Sequence, residues 1–214
     1  MVDPFQEFEA WFDEAKRSGV ALPEAVTLAT VTADHRPAAR VILHKEVSQG
    51  GFVFFTNYES RKGHELAGNA HAALVFHWAA LEKQIRIEGT VSKVTRLESE
   101  AYFATRPRES QLGAWASAQS AVVESRARLA AQMAEMQKRF EGKEVPCPPH
   151  WGGFRLIPNL FEFWKGQPGR LHDRLRFRLH DGLGHRLHDG PHGRLDHGVT
   201  HPMSVGWVED RLSP

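Results

Sequence analysis

Between Val26 and Thr95 the chain breaks into five short β-rich runs, 26–32, 38–44, 52–56, 71–78 and 84–95. Asp34-His35-Arg36-Pro37 and Ser48-Gln49-Gly50-Gly51 separate the first three as turns, because Gly, Pro, Asp and Ser supply the backbone conformations a reversal needs. Short strands in close succession pair antiparallel with their neighbours, so the pattern predicts a barrel or sandwich rather than a doubly wound parallel sheet. The fold class expected is α+β, mostly β: a single domain over residues 1–214, with a barrel core and peripheral helices.

The helices have their own signals. Asp3 suits an N-cap, Pro4 the first helical position and Gln6 a capping box, and Phe5, Phe8, Phe12 and Ala15 recur at helical spacing. Residues 4–17 are therefore predicted to form a helix with one buried face. A short helix is expected near 61–68, another over 97–106 ending at Pro107, and a long one over 121–140 with Val122, Leu129, Met133, Met136 and Phe140 on one stripe. Pro146 to Gly153 reads as irregular loop, followed by strands over 154–158 and 160–164, an Arg/His segment, and a last strand from Val205 to Leu212.

Composition excludes several classes. The one apolar stretch of note, Ala72–Leu81, is short and interrupted by His77, so no segment has the length to span a bilayer. A net charge of +1 gives no general affinity for nucleic acid or membrane surfaces. Cys147 is the only cysteine, which rules out an intrachain disulfide and fits a reducing, cytoplasmic setting. No Cys/His pair has structural zinc spacing, and no metal is expected.

From Arg170 the chain reads RLHDRLRF, RLHDGLGH, RLHDGPHG and RLDHGVTH, four successive eight-residue units. Only the first follows an aromatic strand. The rest is expected to be a His/Gly-rich insertion at about 178–201, in a hairpin loop and outside any formed site.

Four polar constellations carry chemistry. Phe163 to Arg174 runs from an aromatic strand end through a Gly/Pro turn to Arg170, His172 and Arg174 at alternate positions. On a strand these would share a face and suit a planar anionic ligand. Arg40-Val41-Ile42-Leu43-His44-Lys45 has a cation near each end, with opposite strand parity. That is the arrangement of a strand between two anions, and equally of a barrel strand with charged ends. In Phe55-Thr56-Asn57-Tyr58-Glu59-Ser60-Arg61-Lys62-Gly63 a strand gives way to a helix capped by Ser60, with two cations in its first turn. The helix dipole disfavours cations there unless an anion such as phosphate sits at the terminus. Tyr102 and Arg106 share a helix face by i,i+4 spacing, and Pro107 can turn Ser110 back towards them. Two phosphate-type cradles point to a phosphorylated cofactor facing a phosphorylated substrate. The absence of GxGxxG and GxxxxGK[ST] removes dinucleotide folds and P-loops.

In order along the chain, these segments resemble the pyridoxine (pyridoxamine) 5′-phosphate oxidase family. The resemblance rests on Arg40…Lys45, Ser60-Arg61-Lys62, Tyr102…Arg106-Pro107-Arg108-Glu109-Ser110-Gln111-Leu112-Gly113-Ala114-Trp115 and Trp164…Arg170-Leu171-His172-Asp173-Arg174. It runs from Asp3-Pro4-Phe5 to the C-terminal Trp207…Pro214.

The resemblance implies a split β-barrel homodimer with FMN at the subunit interface. Arg40, Val41, Ile42, Leu43, Phe55, Thr56, Arg61 and Lys62 would hold its phosphate and ribityl region, Gln119 and Ser120 would come from the partner, and Gln84, Trp164 and Arg174 would surround the ring. Lys45, Tyr102, Arg106 and Ser110 would grip the substrate phosphate, while Arg170 and His172 would cover its pyridine ring as the catalytic pair. The implied reaction oxidises pyridoxamine or pyridoxine 5′-phosphate to pyridoxal 5′-phosphate, with O2 taking the electrons from FMN to give H2O2. Other members carry a further N-terminal segment with Arg and Tyr residues that closes over the substrate. The match starting at Asp3 implies either a misplaced start codon or a less covered site with weaker substrate retention. The alternatives are a flavin oxidase of the same barrel acting on another substrate, such as the phenazine-biosynthesis oxidases, and a non-catalytic flavin or pyridoxal phosphate carrier.

Overall fold

The computed structural model describes residues 3–179 and 206–214. Helix α1 (Pro4–Arg17) forms as its caps require: the Asp3 carboxylate accepts the Phe5 N–H at 2.9 Å, and Pro4 stands where a missing N–H costs nothing. Its apolar face buries Phe8 and Ala15. Phe8 meets Phe52 edge-on at 4.8 Å and Phe76 at 5.2 Å, so α1 closes over the aromatic core of the sheet.

The sheet is built from β1 (Ala25–Val31), β2 (Pro37–Leu43), β3 (Glu46–Ser48), β4 (Gly51–Asn57), β5 (His71–Trp78), β6 (Lys83–Lys93), β7 (Trp151–Lys165), β8 (Asp173–Leu179) and β9 (Trp207–Arg211). Every pairing is antiparallel, along the path β2-β1-β5-β6-β7-β4-β3, with β8 and β9 branching from β7. Strand β7 is the junction. One edge pairs with β6 between Phe154 and Lys165, and the other pairs first with β4 (Trp151–Leu156) and then with β8 (Leu160–Lys165).

Strands β2 and β3 end the path, yet they are consecutive in the chain. The corner at His44-Lys45 turns one into the other, and the Lys45 N–H donates to Val53 O of β4 at 2.9 Å. The split barrel is therefore joined at this corner by the covalent chain, with no ladder between β2 and β3 among the described residues.

The helices α2 (Arg61–Gly68), α3 (Arg96–Thr105), α4 (Arg108–Ala116) and α5 (Arg126–Arg139) lie outside the barrel. A second core of Phe103, Leu112, Phe140, Val145 and Trp151 joins α3, α4 and the end of α5 to β7, with Met133 and Met136 packed against it.

Several expectations are corrected. The strands expected over 154–158 and 160–164 are one strand of 15 residues that starts inside the supposed loop. Gly152 is no turn: a Cβ there would lie 2.1 Å from the Tyr58 hydroxyl, so glycine serves close packing. Pro158 is tolerated because it lies where the partner on one edge changes from β4 to β8, beside the β6 bulge at Glu88/Gly89. The helix expected from 121 starts at Arg126, capped by Ser125, which leaves Val122 fully exposed rather than on a buried stripe. Strand β3 and helix α4 were not expected at all.

Nor do residues 170–172 form a strand. Pro168–Arg170 is a tight turn with Gly169 and Arg170 at φ 68° and 65°, and β8 begins only at Asp173. The final strand is Trp207–Arg211, narrower than expected. The repeat insertion falls from residue 180 onward outside the described residues.

At the barrel corner His44 is buried among Phe8, Phe12, Phe52 and Phe76, with ring centroids 5.5–5.7 Å away. Its Nδ1 has no hydrogen-bond partner among the described residues. Burial, followed by the charges of Lys45 and Lys16, pulls the imidazole down to about 4. The folded protein thus keeps His44 neutral while the unfolded chain takes up a proton near 6.5. The resulting stabilisation is complete above that value and is lost as pH falls towards 4, amounting to about 3 kcal/mol. We expect His44→Leu to gain stability over the wild type by roughly 2–3 kcal/mol more at pH 4.5 than at pH 7.5 in urea unfolding. An identical difference at both pH values would contradict a buried neutral imidazole.

Candidate active site

One cleft of about 620 Å³ opens beside the barrel corner. Its floor is the end of β2 with Val41, Ile42 and Leu43, followed by Lys45; one wall is the end of β4 with Phe55 and Thr56, together with Lys62 of α2. The opposite wall is α3 and α4, carrying Tyr102, Arg106 and Ser110, and Gln119 lies at the rim. Each wall has a local cause. Ser60 caps α2 by accepting the Gly63 N–H at 3.3 Å, and Gly63 lets the helix start against the Tyr58 backbone, where a Cβ would lie 2.0 Å from a carbonyl oxygen. Pro107 ends α3 and begins α4, so Ser110 comes back towards Arg106 through a second helix whose first turn no side chain caps.

Aromatic stacking sets the wall. Phe55 lies between Tyr102 at 3.9 Å and Trp151 at 5.5 Å, with interplanar angles of 14° and 11°. The Arg106 guanidinium covers Trp151 at 4.6 Å from the ring centre. Its Nη1 is buried without a hydrogen-bond partner, and burial pulls its pKa below the ordinary value. The Lys62 ammonium donates to Gln119 Oε1 at 3.0 Å and Thr56 Oγ1 at 3.1 Å, and Thr56 also donates to Gln119 at 2.9 Å. Burial lowers the Lys62 pKa, helped by the Arg40 charge. Lys45, Lys62 and Arg106 thus share a cleft that no carboxylate lines among the described residues. Three cations left without a counter-charge make an anion site.

A second group lies elsewhere on the sheet. Gln84, Trp164 and Arg174 stand directly opposite one another across β6, β7 and β8. The His172 ring lies 4.7 Å from Trp164, and its Nδ1 accepts the Gln167 N–H at 3.1 Å. Arg174 is held by Glu162 at 2.9 Å. None of Gln84, Trp164, Arg170, His172 and Arg174 lines the cleft.

Comparison with known proteins bears on this arrangement. A family model described as pyridoxamine 5′-phosphate oxidase matches residues 12–140, and one described as the pyridoxine 5′-phosphate oxidase C-terminal dimerisation region matches residues 151–214. The chain belongs to the pyridoxamine 5′-phosphate oxidase family. Among the similar relatives is a protein of Burkholderia vietnamiensis named pyridoxine/pyridoxamine 5′-phosphate oxidase, 56% identical over 175 residues, covering 82% of this chain and 81% of that one. A relative of the same name from Paraburkholderia phymatum is 50% identical over 212 residues, covering 99% and 89%. Among solved structures, PhzG from Burkholderia lata, in complex with tetrahydrophenazine-1-carboxylic acid, superposes with a TM-score of 0.84 at 30% identity, covering 99% of this chain and 93% of that one.

For this family member the expected site residues divide into three sets, with Ser120 apart. Lys45, Tyr102, Arg106, Ser110, Val41, Ile42, Leu43, Phe55, Thr56, Lys62 and Gln119 line one cleft. The five residues of the second group lie apart from it. Arg40 and Arg61 do neither: both are turned onto the buried carboxylate of Glu65, at 2.6 and 2.8 Å. Of the cations in the first turn of α2, Arg61 is thus met by Glu65 rather than by an anion at the helix terminus. Lys45 reaches the cleft because the chain turns a corner there, so the strand-parity argument gives way to a different cause. Gln119, expected from the partner subunit, already reaches Thr56 and Lys62 of its own chain. Ser120 follows it at φ 73° and faces a smaller hollow with Arg61 and His64.

Sequence reasoning passed over Trp151, which completes the stack, and Glu65. The i,i+4 spacing of Arg61 and Glu65 was a readable signal for the latter. Inorganic phosphate should raise the Tm more than chloride at matched ionic strength. Arg106→Leu should remove at least about half of that increment. An increment unaffected by Arg106→Leu would place the bound anion outside this cleft.

Proposed function

We propose that this chain is an FMN-dependent oxidase of pyridoxamine and pyridoxine 5′-phosphates, working as a homodimer. The observation that carries the reading is the set of unpaired cations, Lys45, Lys62 and Arg106, in one aromatic-walled cleft. That donor set fits phosphate groups joined to flat rings, and two such groups are what FMN and the substrate present.

In this reading Lys45, Tyr102, Arg106 and Ser110 hold the substrate phosphate, and Thr56, Lys62 and Gln119 hold the cofactor's phosphate and ribityl chain. Gln84, Trp164 and Arg174 flank the flavin ring. When bound, FMN supplies the two-electron acceptor, which O2 reoxidises with formation of H2O2. Pyridoxamine 5′-phosphate, O2 and water give pyridoxal 5′-phosphate, ammonia and H2O2; pyridoxine 5′-phosphate and O2 give pyridoxal 5′-phosphate and H2O2 directly. The chain's own part is to orient and to neutralise charge. Because His172 Nδ1 accepts the Gln167 N–H, Nε2 is left as the donor towards a ligand oxygen. Arg170, in its left-handed turn two residues before His172, would add a guanidinium to the same ligand.

The separation of the two residue groups supports a site shared between chains. The second group would enter the cleft from the partner subunit, consistent with the dimerisation-region match over 151–214. A second reading, a related flavin oxidase acting on a reduced phenazine carboxylate, draws on the likeness to PhzG at 30% identity. The two differ in the need for a phosphate grip.

Anaerobic mixing of FMN-loaded protein with pyridoxamine 5′-phosphate should bleach the flavin, and O2 should restore it with pyridoxal 5′-phosphate formed. Bleaching by a dihydrophenazine carboxylate alone would favour the second reading; a flavin that stays oxidised with both would leave a carrier. Arg106→Ala and His172→Ala chains should each be nearly inactive. Co-expressed, they should recover activity in mixed dimers, because one of the two sites is then intact. Failure to recover, with mixed dimers isolated, would place both residues in one chain's site.

A further inference from the structure

Glu65 is buried in α2 and takes three hydrogen bonds on its two oxygens. Thr30 Oγ1 and Arg40 Nη2 both donate to Oε2 at 2.6 Å, and Arg61 Nε donates to Oε1 at 2.8 Å. Arg40 Nη1 also bonds to the Thr30 hydroxyl and to Leu28 O, the latter at 3.2 Å. One carboxylate thus ties β1, β2 and α2 together. Burial works against its charge, but the bonds from Thr30, Arg61 and Arg40 prevail and keep the carboxyl below its usual range.

The arithmetic of charge does not end in neutrality. Arg40 and Arg61 carry two positive charges against one, and Lys62, whose ammonium feels the Arg40 charge, adds a third. Arg61 uses only its Nε, so both of its Nη groups have no partner among the described residues. A guanidinium held through one edge keeps its other donors aimed in a fixed direction, which lowers the entropy lost on meeting an oxyanion.

We propose that Glu65 is a positioning residue for the cofactor phosphate. It holds Arg40 and Arg61 through opposite oxygens, so that their remaining donors and Lys62 form one preorganised cationic face. The proposal rests on the flavin reading above. It assigns Glu65 no contact with the ligand, and it gives Arg40 and Arg61, which do not line the cleft, a common anchor beside Lys62.

The test compares FMN with riboflavin, which lacks the phosphate, by flavin-fluorescence titration of the flavin-free full-length protein. Glu65→Gln keeps the shape but removes the charge that fixes the arginines. FMN affinity should fall on the order of tenfold to a hundredfold, by analogy with the loss of a residue that orients a metal ligand. Riboflavin affinity should stay within about twofold, and Glu65→Asp should recover part of the FMN loss. Equal weakening of both flavins would reduce Glu65 to a fold-stabilising role, and tighter FMN binding would make it a competitor of the phosphate; either result overturns the proposal. If Glu65→Gln does not accumulate, Thr30→Val removes one donor to the same carboxylate while retaining all the charges, and the same selective loss, smaller in size, is expected. Wild-type protein with no preference for FMN over riboflavin would instead overturn the flavin reading itself.

Discussion

Fifteen consecutive residues of β7 hold the molecule together, because that strand alone pairs with three others. Its β6 edge carries the barrel, and the change of partner from β4 to β8 on the other edge splits the sheet. The first half of β7 places Trp151 under α3 and beside Phe55, which builds the aromatic wall of the cleft. The second half places Trp164 between Gln84 and Arg174. One strand therefore supports both groups of candidate residues, yet at opposite ends. Their separation within a chain follows from the length of that strand at about 3.3 Å per residue.

The cleft is costly in a way that points to a ligand. Buried cations are ordinarily paired, and elsewhere this chain obeys the rule: Lys83 pairs with Glu14, Arg155 with Glu98, and Arg174 and Arg86 with Glu162. In the cleft Arg106 keeps a buried donor unsatisfied and Lys62 is held only by neutral oxygens. A cleft whose cations meet only neutral groups among the described residues suits negative charge, which is the physical basis of the proposed function.

Much of this was legible in the linear chain, with instructive gaps. Helices α1 and α2 match the expected ranges residue for residue, since a capping Asp3 or Ser60 and a periodic apolar face act within one or two turns. Strands β1, β2, β4, β5 and β6 fall within one or two residues of their expected positions, because their turns announce themselves with Gly, Pro and Asp. The failures share a cause. Gly152 and Gly153 look like loop residues until Tyr58, Val94 and Phe55 press against them. Arg170 and His172 look like strand residues until Gly169 and Arg170 adopt left-handed φ and hold them in a turn. The start of α5 was set too early because an apolar Val122 was counted into a stripe that the fold leaves in solvent.

The sequence by itself determined the fold class, most of the elements, and the identity of the cations and aromatics that line the cleft, Trp151 excepted. These depend on local periodicity, caps and turn chemistry, which act between residues a few positions apart. Only the tertiary structure decided which of those residues meet. That Lys45 reaches the cleft depends on a corner between β2 and β3, that Gln119 meets Thr56 and Lys62 of its own chain depends on the loop before α5, and that Arg40 meets the carboxylate bound by Arg61 depends on Glu65 lying 25 residues away. Contacts across such spans are fixed by packing of the whole sheet, and no spacing along the chain encodes them.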